Sequence, residues 1–116
     1  ALIDVLLGAC RLGDIGNLFS NKKKKYKNIR SSILLGKTMK LIKSKKFLIN
    51  NIDINVIAQK LRVKKHSKKM IYLISRLCEI HPSCVSIKGK TTEKLGLIGK
   101  EKAIASEVIV SVMKYD

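Results

Sequence analysis

The sequence predicts an α/β sandwich in which helices pack on one face of a small mixed sheet. Segments with the three- and four-residue spacing of a helix alternate with segments of β-branched residues, in the order helix, helix, strand, helix, strand, short helix and strand. Glycines and the one proline separate these segments. A chain of 116 residues can bury one modest core, so we expect residues 1–116 to form a single domain and exclude a multidomain enzyme.

The chain opens in a predicted helix over residues 1–12. Apolar residues recur there at helical spacing: Leu2, Val5, Leu6, Ala9 and Cys10. Because the sequence begins directly in this amphipathic segment, we expect no signal or transit peptide. Gly13 and Gly16 predict a tight turn around Asp14 and Ile15.

A basic loop and a second helix follow. The run Lys22–Lys25 predicts a solvated loop, because consecutive like charges repel. The second helix is predicted to begin near Ser31 or Ser32, either of which could be its N-cap, and Lys43–Lys46 suit its C-terminal end. The alternation of Ile52, Ile54, Val56 and Ala58 with more polar residues then predicts a strand from Phe47 to Ala58.

The second half of the chain alternates in the same way. Lys64–Lys69 predict a basic loop, and Met70–Cys78 predict a helix that is closed by Pro82. Three further segments complete the pattern: a short strand over Cys84–Ile87 ended by Gly89, a helical turn over Thr91–Lys94, and a strand over Ala103–Met113 that is rich in β-branched residues.

The net charge of +17 points by itself to nucleic acid or another polyanion. The charge is almost entirely lysine, however, whereas base readout favours arginine and aromatic side chains, which are few here. AT-rich coding would produce the same lysine-rich composition. We therefore expect no nucleic-acid partner, and keep a basic nucleic-acid-binding domain as the alternative. No apolar run reaches the roughly 18 residues of a membrane span, so we expect no membrane partner.

Three cysteines, Cys10, Cys78 and Cys84, lie among apolar neighbours without a C-x-x-C pair. This pattern favours small buried side chains in a reducing compartment over a disulfide framework or a zinc ribbon. His66 and His81 are isolated in the sequence, so neither is expected to bind a metal or to act in catalysis.

Gly-Lys-Thr occurs at residues 36–38 and 89–91, but neither copy has the preceding glycine of a nucleotide triphosphatase phosphate loop. The second copy, with Thr92 and Glu93, would place N–H groups, two hydroxyls, a cation and a carboxylate together, and could hold a divalent metal against a diphosphate. The alternative is an ordinary capped helix start. Asp14 is open to two interpretations as well, as turn chemistry or as a carboxylate that binds ligand hydroxyls.

Four stretches taken together resemble one enzyme family. They are residues 1–9, 12–19, 51–59 and 91–96, which read ALIDVLLGA, LGDIGNLF, NIDINVIAQ and TTEKLG. In register over essentially the whole chain, they are similar to the 2-C-methyl-D-erythritol 2,4-cyclodiphosphate synthases of non-mevalonate isoprenoid biosynthesis. The resemblance implies a homotrimeric lyase whose sheets face the three-fold axis and whose active sites lie between subunits.

The implied substrate is 4-diphosphocytidyl-2-C-methyl-D-erythritol 2-phosphate. Its 2-phosphate attacks the β-phosphorus of the diphosphate, which releases CMP and closes a cyclic diphosphate. Because the attack is intramolecular, the protein has mainly to fold the substrate and to neutralise crowded phosphates.

The positions that match the family's motifs indicate which residues of this chain would form the site. The resemblance implies that Thr91 stabilises the transition state and that Asp4 occupies an acidic position beside the metal centre. The implied substrate contacts are Asp14, Ile15, Gly16 and Phe19 for the methylerythritol, Ala58, Gln59, Arg62, Val63 and Lys64 for the cytosine, and Lys90, Thr91, Thr92 and Glu93 for the diphosphate.

Divalent metals are the implied cofactors. The resemblance places magnesium or manganese on Glu93 between the phosphates, and zinc on an Asp-x-His pair and a further His. This chain starts at Ala1 and contains none of these zinc ligands, nor the family's first strands. We expect it to be a fragment of a longer protein that is inactive by itself, with a catalytically inactive homologue as the alternative.

The chain also departs from the family pattern near the site. Ser20–Lys23 replace a usual Pro-Asp-x-Asp, and Lys60–Arg62 replace a usual Ala-Pro-Lys. Leu97 and Lys100 stand where the family has Phe and Arg, in a central cavity that can hold an isoprenoid diphosphate. The lysine-rich composition and the pathway suggest a plastid or apicoplast location in a eukaryote, or the cytoplasm in a bacterium.

Overall fold

A computed structural model describes residues 1–18, 30–57, 63–90 and 105–116. These residues form a three-stranded mixed sheet, as the sequence predicts, and four helices, of which the short one at Ile15–Leu18 was not predicted because a tight turn was expected there. The helices are α1 (Leu2–Ala9), α2 (Ile15–Leu18), α3 (Ser31–Ser44) and α4 (Val63–Cys78). The strands are β1 (Phe47–Ile57), β2 (Val85–Lys90) and β3 (Ala105–Lys114), and a 3-10 turn, Pro82–Cys84, precedes β2.

The longest strand, β1, lies at the centre of the sheet in the order β2-β1-β3. It pairs in parallel with β2 and antiparallel with β3. Parallel neighbouring strands need a crossover connection. Helix α4 provides it, because it lies between β1 and β2 in the sequence and packs on β2. This topology places the carboxyl ends of β1 and β2 at one edge of the sheet.

A β-bulge at Asn50 divides β1 into two parts. Ile49 pairs with Val112 and Asn51 pairs with Ser111, so that two steps along β1 match one step along β3. Ile49 and Ile52 therefore both face the core although they are three residues apart. The Asn50 side chain donates to Ser111 Oγ at 3.1 Å. The alternation that the sequence predicts holds only beyond this bulge.

The core lies between the helices and one face of the sheet. Its buried apolar side chains come from every layer: Leu6, Cys10, Leu35, Met39, Ile42, Ile49, Ile52, Ile54, Cys78, Val85 and Ile87. Two buried hydroxyls bond within their own helices, since Thr38 donates to the Leu34 carbonyl and Ser75 donates to the Tyr72 carbonyl. Burying them therefore leaves no donor unpaired.

Two predictions about helix α3 and helix α4 were wrong. The residue before α3 is Arg30, which makes no side-chain cap hydrogen bond, so neither Ser31 nor Ser32 is the N-cap. Lys64–Lys69 are not a loop, because they form the first turns of α4. Lysine has a good helix propensity, and the apolar stripe of Ile71, Ile74 and Cys78 holds the rest of this helix on the core.

Smaller corrections concern the glycines. The turn after α1 depends on Gly13, whose φ is +99°, whereas Gly16 lies inside α2. Gly89 lies within β2 and does not end it. The predicted loop at Lys22–Lys25 and the predicted helical turn at Thr91–Lys94 fall outside the described residues.

No helix in the part of the chain that the structure describes is both long enough and apolar enough to cross a membrane.

Candidate functional site

The carboxyl ends of β1 and β2 meet at one edge of the sheet, which we call the carboxyl edge. Ile57, the last residue of β1, pairs with Lys90, the last residue of β2, and also with Ala105, the first residue of β3. Adjacent strands lie about 4.8 Å apart. The segments 58–62 and 91–104 therefore leave or enter the sheet at the same place, and such edges of open α/β sheets are common ligand sites.

These two segments carry half of the site residues that the resemblance implies. Several of those residues lie outside the described part of the chain: Phe19, Ala58, Gln59, Arg62, Thr91, Thr92, Glu93, Leu97 and Lys100. Their points of attachment are described, however. The structure brings together the start of the expected cytosine segment, after Ile57, and the start of the expected diphosphate segment, after Lys90.

Helix α4 contributes its N-terminus to the same edge. It begins at Val63, shortly after β1 ends, and it must run back along the sheet to reach the amino end of β2. Lys64 in its first turn is exposed, and so is Lys90 at the end of β2. The two lysines and the helix terminus therefore contribute positive charge at the carboxyl edge.

Asp14 lies between the two glycines that the sequence singles out. The positive φ of Gly13 turns the chain, and the Asp14 carbonyl then accepts a hydrogen bond from the Leu18 N–H at 3.1 Å, which starts α2 at Ile15. A Cβ added at Gly16 would lie 3.3 Å from Asp14 Oδ1. A side chain at position 16 would therefore require the exposed carboxylate of Asp14 to shift by a few tenths of an ångström.

Asp4 lies on a helix that packs on a different strand from the one that ends at Lys90. Helix α1 packs on β3 and α3, and α2 follows it, whereas Lys90 ends β2, with β1 between β2 and β3. Asp4 is exposed in the first turn of α1, beside a cavity of about 310 Å³ between α1, α3 and α4. The described part of one chain therefore does not place the Asp4 carboxylate on the strand that ends at Lys90.

The remaining candidate groups have structural roles. His81 Nδ1 accepts a hydrogen bond from the Ser83 N–H at 3.1 Å and so caps the turn before β2. The first Gly-Lys-Thr lies inside α3, where Thr38 is fully buried. Among the residues that the structure describes, no three histidine, cysteine, aspartate or glutamate side chains form a group that could hold a metal.

All three cysteines are free, as the sequence predicts. Cys10 and Cys78 are buried, and Cys84 is half-buried. Burial raises the pKa of the Cys10 thiol and raises the pKa of Cys78 to about 11, because the thiolate form is poorly solvated in the core. These two side chains are therefore inert parts of the packing.

Lys64–Lys69 were predicted to form a loop, whereas they are part of helix α4. Lys65, Lys68 and Lys69 are exposed on its first two turns, close to the carboxyl edge. The available signal was their spacing, because Lys64 and Lys68, and also Lys65 and Lys69, are four residues apart and fall on one helical face.

The fold is that of an α/β domain in which two exposed lysines and a helix N-terminus lie at the carboxyl edge. The family model described as the YgbB family matches residues 1–113. The chain belongs to this family, which confirms the resemblance carried by the four sequence stretches.

Two relatives of the chain are named as enzymes. The bifunctional enzyme IspD/IspF of Pelagibacter ubique is 57% identical over 116 residues, which is all of this chain and 31% of that protein. The 2-C-methyl-D-erythritol 2,4-cyclodiphosphate synthase of Francisella tularensis subsp. novicida is 42% identical over 94% of this chain and 69% of its own length. The chain thus spans only part of the proteins that it matches.

A solved structure shares the fold. The CDP complex of IspF from Plasmodium falciparum superposes with a TM-score of 0.87 and 39% sequence identity, over all of this chain and 69% of that one. The predicted mixed α/β architecture is confirmed by this match, and the family is one of cyclodiphosphate synthases.

Proposed function

We propose that the protein carrying this chain is a 2-C-methyl-D-erythritol 2,4-cyclodiphosphate synthase. It would convert 4-diphosphocytidyl-2-C-methyl-D-erythritol 2-phosphate into the cyclic diphosphate with release of CMP. The observation that carries the proposal is the pairing of Ile57 with Lys90, which starts the cytosine and diphosphate segments side by side. A nucleoside diphosphate needs both of these subsites within a few ångströms of each other.

The residues suit the chemistry of phosphorus–oxygen bond exchange. The 2-phosphate oxygen attacks the β-phosphorus, and the bond from that phosphorus to the oxygen of the α-phosphate breaks, so that CMP leaves. We assign Lys90, Thr91 and Thr92 to the phosphate oxygens, where hydroxyls and an ammonium offset the developing charge. Asp14 accepts hydrogen bonds from the methylerythritol hydroxyls. Binding of both ends keeps the attacking and accepting groups together.

Metal ions are assigned here only from the donor groups of the chain. A carboxylate such as Glu93, together with diphosphate oxygens, is the hard oxygen set that Mg²⁺ or Mn²⁺ prefers, and the ion would neutralise phosphate charge. The zinc implied by the family does not fit the described residues alone, which hold no group of three ligands. No step above depends on zinc.

We also propose that the active protein is a homotrimer with its sheets facing the three-fold axis. The sheet face opposite the helices carries exposed apolar side chains: Leu48, Ile109 and Met113. On the same face, the Asn55 Oδ1 atom is inaccessible to water and has no hydrogen-bond partner among the described residues. A neighbouring copy would cover these groups and bring its Asp14 towards the carboxyl edge of the first.

The direct test is turnover by the full-length protein. It is incubated with its substrate and a divalent metal, CMP is measured by chromatography, and the cyclic product is measured by ³¹P NMR. We expect both products in equal amounts. An assembled, correctly folded protein that releases no CMP above background would overturn the proposal.

Variants at the carboxyl edge test the roles assigned to individual residues. We expect Thr91→Ala and Glu93→Gln each to lower kcat by about 10²-fold, the usual effect of removing one group that stabilises a transition state. Glu79→Gln is the matched control, because Glu79 pairs with Lys43 on α3 and lies after the end of α4 that is far from the edge. Unchanged kcat in both site variants would contradict the assignment of these residues.

A further inference from the structure

The first two turns of α4 carry a basic stripe, which we define as Lys64, Lys65, Lys68 and Lys69. All four side chains are exposed, and the first turn of the helix contains no acidic residue. None of the four forms an ion pair with another residue in the described part of the chain. At 100° per residue the four lysines cover one continuous face of the helix.

This arrangement works against the stability of the helix. Like charges four residues apart repel each other, as in the pairs Lys64–Lys68 and Lys65–Lys69. Cations at a helix N-terminus also oppose the helix dipole, whose positive end lies there. Departures from local rules of this kind are expected at functional sites.

The stripe lies beside the carboxyl edge and adds to its charge. Lys90 is exposed at the same edge. The described carboxylates that could offset this charge are elsewhere or occupied. Asp53 pairs with Lys88 at 3.3 Å, and Glu79 pairs with Lys43 after the far end of α4. Glu107 on β3 lies opposite Asn55 of β1, two residues before the end of that strand. It contributes one negative charge near the edge, against the five positive charges of the stripe and Lys90.

We propose that the basic stripe is an electrostatic collector that speeds the association of the polyanionic substrate with the carboxyl edge. The inference rests on the proposed function, whose substrate carries a diphosphate and a further phosphate. A concentrated positive potential beside a site raises the encounter rate of anions, and it does so without contact with the reacting atoms. Lys65, Lys68 and Lys69 thus act on association and leave the chemical step alone.

The experiment measures association of a fluorescent cytidine diphosphate, N-methylanthraniloyl-CDP, by stopped flow in the full-length protein. The stripe variant is Lys65→Gln/Lys68→Gln/Lys69→Gln. At about 20 mM ionic strength we expect its association rate constant to fall about three- to tenfold, with dissociation and kcat changed less than about twofold. At about 0.5 M salt, where the screening length is only a few ångströms, the difference should vanish.

A second triple variant removes the same charge at the other end of the sheet: Lys40→Gln/Lys45→Gln/Lys114→Gln. These lysines lie near the start of β1, where Lys114 pairs with Phe47, and we expect an association rate within about twofold of the parent. Thermal unfolding of the stripe variant checks its fold, and its midpoint should not fall, because the variant relieves repulsion in α4.

The outcomes separate the two proposals. If the parent releases no CMP and binds no CDP analogue, the proposed function fails. If the parent turns over and both triple variants associate equally fast with equal salt dependence, the collector fails and the enzyme function stands. Tight, salt-sensitive binding of single-stranded RNA by the parent, lost in the stripe variant while CDP association is unchanged, would also overturn the collector in favour of a nucleic-acid surface.

Discussion

At the scale of single residues, burial determines how the thiols of the core behave. Cys78 is 2% exposed, and burial raises its pKa to about 11. The folded state therefore holds the thiol proton more tightly than the unfolded chain does. The stabilisation that this provides is complete below the ordinary thiol pKa, and it is lost as the pH rises from about 9 towards 11.

We predict that stability falls over this pH range partly because of Cys78. The measurement is the free energy of unfolding in urea at pH 8 and pH 10.5, for the parent and for Cys78→Ala. The variant should be less stable at pH 8, because it leaves a cavity, and its further loss at pH 10.5 should be smaller than that of the parent. Cys84→Ala, at a half-buried position, is the control and should follow the parent. Equal losses in the parent and in Cys78→Ala would contradict this prediction.

Burial also separates side chains that look equivalent in the sequence. Thr38 and Thr91 both follow Gly-Lys, yet Thr38 is fully buried and bonds to its own helix at 2.8 Å. The first motif is thus part of the core, and only the second lies next to the carboxyl edge.

At the scale of elements, two glycines with the same open surroundings have opposite roles. An added Cβ would meet no atom within 4 Å at either Gly36 or Gly13. Gly36 lies in the interior of α3, where glycine weakens the helix, whereas Gly13 has a φ of +99°, which side chains rarely adopt.

We predict that Gly36→Ala stabilises the protein by roughly 0.5–1 kcal/mol and that Gly13→Ala destabilises it by about 1 kcal/mol or more. Urea unfolding of the two variants beside the parent measures both changes. Because an added Cβ has the same open surroundings at both positions, opposite signs of the two stability changes can be attributed to backbone conformation. Destabilisation by Gly36→Ala would show that the helix interior at this position is packed more closely than the structure indicates.

Helix α4 shows how an element combines two functions along its length. Its C-terminal half packs Ile71, Ile74 and Cys78 on the core, and its N-terminal half carries the basic stripe at the carboxyl edge. Packing of the apolar half stabilises the helix enough to outweigh the repulsion among lysines, which amounts to a few tenths of a kcal/mol for each pair.

At the scale of the whole molecule, the helix-free face of the sheet limits what the single chain can do. Ile109 is 69% exposed and Met113 is 50% exposed on this face, and monomeric proteins rarely leave such groups together in water. In one chain, helix α1, which precedes Asp14, packs on β3, whereas Lys90 ends β2. Assembly through this face is therefore proposed to complete the site as well as to cover apolar surface.

We predict that Ile109→Asp converts the proposed trimer of the full-length protein into smaller species and lowers turnover by at least about tenfold, because it would place a charge in the proposed dry interface. Light scattering coupled to size-exclusion chromatography gives the mass. Tyr72→Asp is the control, because Tyr72 is 57% exposed on α4 and should leave the assembly intact. A trimer of full activity with Asp at position 109 would contradict the proposed interface.

Much of the fold could be predicted from local patterns. Helix α1, strand β3 and the apolar half of α4 were predicted because regular spacing of apolar residues fixes which face is buried, whatever the partner is. The Lys64–Lys69 prediction was wrong because like charges were given more weight than helix propensity and continuity with the apolar half. The bulge at Asn50 has no local sequence signal, since it depends on the register with β3.

The candidate site was predictable only in part for the same reason. Four stretches identified the family, whereas the roles of the site residues that they carry remain predictions. The four-residue spacing of the stripe lysines was a local signal for a helix, but only the strand order showed that this helix begins at the carboxyl edge.

The amino-acid sequence by itself determined the periodicity of the elements, the buried thiols and the family to which the chain belongs. Only the tertiary structure decided that Ile57 lies beside Lys90 and that Lys64–Lys69 form a charged helical face at that edge. The physical reason is how far apart in the sequence the interacting residues are. The spacing of apolar residues reflects contacts between residues a few positions apart, whereas strand pairing joins residues that are brought together only when the core between them forms.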